Sequence, residues 1–120
     1  MHQKELPAAN AVQVLLSSLA WAGTADHDQA LPAITAGIKE LPFAVPVQLH
    51  PREQCTVGAV KSALTDLYGV SPQNKKALLR ACLTTISADG SITTDEAELV
   101  RAVADSLDCP IPPVIPDTTI

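Results

Sequence analysis

Three carboxylates in the last third of the chain, Asp89, Glu96 and Glu98, come nearest to metal chemistry. They lie in and just after the stretch Ala88-Asp89-Gly90-Ser91-Ile92-Thr93-Thr94-Asp95-Glu96, between two amphipathic helical patterns. A helix–loop–helix calcium loop takes ligands at positions 1, 3, 5, 7, 9 and 12 and a glycine at 6. With Gly90 at position 6, Thr85, Ser87 and Asp89 fall at 1, 3 and 5, and Glu96 falls at 12. The second half fits. The first half offers hydroxyls where a hard dication needs carboxylates. The same residues also have a mechanical reading. Gly90 supplies a positive φ, Asp89 steadies the turn, and Thr93 and Glu96 close a capping box.

A second arrangement would bring two turns together, with Asp26 and Asp28 approaching Asp89, Asp95, Glu96 or Glu98. Clustered carboxylates repel unless a cation sits among them. A divalent cation is therefore the one cofactor these residues could hold, and no resident cofactor is expected.

Other chemistries lack a framework. His2, His27 and His50 form no HExxH pattern, and no two share a helix face. Cys55, Cys82 and Cys109 are odd in number and contain no CxxC pair, so they read as free thiols in a reducing compartment. Ser17-Ser18 lies inside an apolar helix without a GxSxG turn, and the five glycines form no phosphate loop. An unrecognised enzyme site would need a pocket lined by groups such as Cys82 or His50. No catalytic residue is assigned.

These groups must be positioned by a core of Leu, Val, Ile and Ala. Apolar residues make up 47% of the 120, but aromatics only 2%, so Trp21, Phe43 and Tyr68 cannot dominate the interior. That composition favours close-packed helices in one domain. A net charge of -5 with eight scattered basic residues leaves no footprint for nucleic acid and no polybasic anchor for an anionic membrane. No leader pattern is visible. The apolar run from Ala8 to Ala22 is interrupted by Asn10, Gln13, Ser17 and Ser18 and is shorter than the ~20 residues of a bilayer span, so it reads as a buried helix.

Helical spacing predicts a first helix from about Pro7 or Ala8 to Trp21, stopped by Gly23. A second places Leu31, Ile34, Ile38 and Leu41 on one face, with Pro32 delaying its start or kinking it. Pro42, Pro46 and Pro51 define an extended connector. A third helix runs from about Pro51 to Tyr68, with a stripe of Val57, Val60, Leu64, Leu67 and Tyr68. Ser71 caps a fourth, which carries Leu78, Leu79, Cys82, Leu83 and Ile86 inward. Thr93 caps a fifth, with Ala97, Val100, Val103, Ala104 and Leu107 buried. Residues 1–41 form a first helical hairpin, 42–51 the connector, 52–108 helices three to five, and 109–120 an extended proline-rich tail. Val14 to Ala20 and Ala77 to Leu83 read as a weak repeat, each leading to an Ala-Asp turn. The expected fold is all-α: about five helices, as two packed helical hairpins plus one.

The pattern from Ala88 to Leu107, Ala-Asp-Gly-x-Ile-Thr-x-x-Glu-Ala-Glu-Leu followed by Arg-Ala and hydrophobic positions, resembles the tellurite-resistance TerB-like helical fold. The ending Leu107-Asp108-Cys109-Pro110-Ile111-Pro112-Pro113 is similar to the C-terminal soluble region of bacterial membrane-bound zinc metallopeptidases of the HtpX-like, CAAX-protease-related class. The segment Ala20-Trp21-Ala22-Gly23-Thr24 is similar to an upstream part of the same region. The resemblance implies a non-catalytic accessory, regulatory or protein-interaction domain on the cytoplasmic side, as the soluble part of an inner-membrane protein. Its partner would be another protein or the parent peptidase domain, with no nucleic acid and no direct membrane insertion. Zinc chemistry would belong to the parent, because no HExxH occurs here. The alternative implied by the TerB-like likeness is a divalent-cation-responsive module using Asp89, Glu96 and Glu98.

Overall fold

The computed structural model describes residues 9–42, 45–88 and 92–108. All regular structure within them is helical. The long apolar run becomes α1, Ala9–Gly23, and every residue from Ala11 to Ala20 is buried. A helix buried on nearly every side must be surrounded, and α1 packs against each of the other helices.

α2 spans His27–Lys39, with Asp26 as its N-cap accepting from the Asp28 N–H at 3.0 Å. Pro32 lies inside this helix instead of delaying its start. The lost backbone bond is tolerated because Ala30, Ile34, Gly37 and Ile38 are buried, and packing outweighs local propensity. Pro32 itself stays exposed. Leu31, assigned by spacing to the buried face, is 38% exposed.

α2 lies chiefly against α4, Pro72–Ser87. Their approach is tightest at Gly37, where an added Cβ would run into the Thr85 hydroxyl and sit 2.9 Å from the Ala81 carbonyl. Ser71 caps α4, accepting from the Asn74 N–H at 3.2 Å, with Pro72 in the first turn where its missing N–H costs nothing.

The connector, described at residue 42 and from residue 45, forms no strand there. One 3-10 turn, Arg52–Gln54, precedes α3, Val57–Leu67, so α3 starts six residues later than the spacing predicts. Thr56 is its N-cap, accepting from the Ala59 N–H at 3.1 Å. Val60, Ala63, Leu64 and Leu67 are buried. Val57 and Tyr68 are 75% and 55% exposed, so they are not part of the buried stripe.

α5, Thr94–Ser106, buries Ala97, Val100, Val103 and Ala104 against α1 and α4. Leu107 is fully buried just past it, and Asp108 takes a left-handed conformation with φ 56°, which Asp tolerates better than most side chains. The proline-rich tail from residue 109 onward lies outside the described residues.

Candidate functional site

The end of α1, the start of α2 and the start of α5 meet in one place. Thr93 caps α5 by accepting from the Glu96 N–H at 3.1 Å, and Glu96 Oε1 accepts in return from the Thr93 N–H at 2.8 Å. Both halves of the predicted capping box are therefore present. The Thr93 hydroxyl also donates to the Ala22 carbonyl at 3.4 Å, across the interface to α1. Glu96 is only 3% exposed. Its carboxylate lies where a side chain at position 23 would otherwise project, so Gly23 makes room for it.

A pocket of about 230 Å³ opens beside this junction. Its wall is mostly small or apolar (Ala20, Pro32, Ala33, Ala88), and Asp28 and Glu96, from different turns, also line it. The Thr85 hydroxyl, also at the wall, already donates to the Ala81 carbonyl at 2.8 Å. Of the residues considered for a joint acidic site, Asp28 and Glu96 come to the same pocket. Asp95 and Glu98 are exposed, and Asp26 caps α2. Asp89 and Gly90 lie outside the described residues, and so does the apex of the turn. Among the described residues, no three His, Cys, Asp or Glu side chains come together as a metal-holding group.

The other candidate groups have structural partners. Cys82 is fully buried, and desolvation pushes its thiol up to about 12. Such a thiol stays protonated and is a poor nucleophile. Cys55 is half-buried. Burial pushes its thiol up, and the neighbouring Ser18 hydroxyl opposes that. Its sulfur faces the His50 carbonyl at 4.0 Å, while the His50 ring Nε2 pairs with Gln13 Oε1 at 3.3 Å. The two residues thus do not form a thiol–imidazole pair.

Sequence reasoning missed a polar seam on α1. Gln13, Ser17 and Trp21 recur every four residues and so lie on one helix face. Gln13 Nε2 donates to the Pro46 carbonyl at 3.0 Å, Ser17 Oγ accepts from the His50 N–H at 3.0 Å, and Trp21 Nε1 donates to the His50 carbonyl at 2.8 Å. These bonds satisfy connector backbone groups that helix or sheet would otherwise satisfy. The available signal was polar residues at helical spacing inside an apolar run, followed by a segment with too many prolines to bond with itself.

Among the described residues, no helix is long and apolar enough to cross a membrane. Comparison with protein-family models, curated proteins and solved structures finds no match.

Proposed function

We propose that this chain is a non-catalytic accessory or regulatory domain that works by contacting another protein. The observation that carries this reading is the placement of Glu96, the best-matched acidic residue of the candidate loop. Its carboxylate is turned inward, closes the cap of its own helix and occupies the space left by Gly23. Cys82 is likewise buried in the core, and the His50 ring pairs with the Gln13 side chain. The resemblance of Ala88 to Pro113 to TerB-like domains and to the soluble end of membrane zinc metallopeptidases supports a cytoplasmic module serving such a peptidase. The test is hydrolysis of an unfolded protein substrate by the purified chain with added zinc. No turnover above buffer is expected, and reproducible zinc-dependent cleavage would overturn the proposal.

A second reading is favoured by one observation, that Asp28 and Glu96 reach the same pocket from different turns. In it the chain is a module that responds to divalent cations. Calorimetric titration with calcium, magnesium and manganese separates the two, read beside the melting temperature. The accessory reading expects neither heat nor a shift. Binding heat that Asp28→Asn removes would establish the cation-responsive module instead.

A further inference from the structure

The outer side of α2 carries a face unlike an ordinary solvated helix surface. Asp28, Leu31, Pro32, Thr35, Ala36 and Lys39 line one shallow groove. Leu31 is 38% exposed, and the Thr35 hydroxyl is bonded inward to the Leu31 carbonyl at 2.8 Å. The middle of the face is thus mostly apolar, with Leu31 its one large side chain, and its two ends are charged. Asp28 stands at the N-terminal end with its side chain 95% exposed and its carboxylate 3.7 Å from His27 Nδ1, and Lys39 at the C-terminal end is also exposed.

This charge order is self-complementary. The two ends are eleven residues apart, which is about 16 Å along a helix. If a second α2 is laid antiparallel across the first, with a two-fold axis level with the peptide joining Ala33 and Ile34, Asp28 falls opposite Lys39 of the partner. Leu31 then falls opposite Ala36 of the partner, and Pro32 opposite Thr35. Both ion pairs form at once, and the small residues let the backbones approach. Antiparallel helix dipoles add to the attraction. A two-fold contact needs this kind of patch, complementary to itself.

We propose that α2 is a homodimerisation face and that its occupant is the α2 of a second copy of this chain. The contact is independent of whichever protein the accessory role requires. A single helix face is a small interface, so the dimer is weak and concentration-dependent.

The test is sedimentation equilibrium at neutral pH and low salt, over roughly 10 μM to 1 mM, a range suited to weak interfaces. The wild type should rise from 12.6 kDa toward twice that mass. Asp28→Lys places Lys opposite Lys, and Lys39→Asp places Asp opposite Asp, so each variant alone should stay monomeric. Mixed in equal amounts, the two variants are complementary at both ends and should form a heterodimer. Circular dichroism confirms that both variants are folded, and if either is not, Leu31→Lys serves as a second way of blocking the face. Three results would overturn the proposal: a wild type monomeric throughout, single variants that dimerise like the wild type, or a mixture that stays monomeric.

Discussion

Glu96 shows how one side chain can satisfy a cap and a cavity together. Its carboxylate returns the bond that Thr93 offers and also fills the space above Gly23. Glutamine can make the same return bond, so Glu96→Gln should cost no more than about 0.5 kcal/mol. Glu96→Ala loses the return bond and leaves a hole, and should cost about 1–2 kcal/mol. Urea unfolding of the two variants would check this, and equal costs would refute the capping role. Cys82 makes a second prediction through its thiol, whose ordinary value of 9.0 is pushed up to about 12 in the folded chain. The buried thiol stays neutral while the unfolded one ionises, so the stabilising term is intact below pH 9.0 and is lost as pH climbs toward 12. The loss should approach about 1.4 kcal/mol per pH unit in that window. Cys82→Ala removes this component, so the difference between its stability and that of the wild type should narrow by that slope above pH 9.0. Parallel curves would show that the thiol ionises without cost.

The helices show which parts of the structure could be read from residue order. Caps could, because they are local: Ser71 before α4 and Thr93 before α5 act within three residues of themselves. The buried character of α1 could be read too, since it carries no charged residue and its few polar ones are outnumbered by apolar ones. The start of α3 could not. Periodicity carries it back to Pro51, but the His50 peptide is held by Ser17 and Trp21, more than two dozen residues away. Val57 and Tyr68 lie at helical spacing, yet spacing alone does not show whether a neighbouring surface exists to cover them. The late start that Pro32 suggested for α2 failed for a related reason, as the helix is held by side chains that bury themselves on α1 and α4. The crossing of α2 and α4 gives the prediction proper to this scale. Alanine favours an isolated helix over glycine by up to about 1 kcal/mol. Gly37→Ala should nonetheless destabilise the fold by about 1–3 kcal/mol, because the new methyl meets the Thr85 hydroxyl and the Ala81 carbonyl. A raised melting temperature for this variant would refute the close approach.

At the scale of the molecule, the junction around Glu96 and the outer face of α2 differ in make-up. One joins the ends of three helices, and the other presents an apolar surface with opposite charges at its ends. The site was less legible than the fold. The turn signals correctly placed Thr93 and Glu96 at the start of α5. They gave no hint that Glu96 would face Gly23 at the end of α1, because that meeting depends on how α1 and α5 cross. The central place of α1 has a consequence during synthesis. It leaves the ribosome before any of the surfaces that will enclose it, and Leu107 arrives some ninety residues later. Its cover is therefore assembled in instalments, from α2, α3 and α4 first and from α5 last, and a chain cut short ahead of α5 should leave one side of α1 bare and aggregate more readily than the whole.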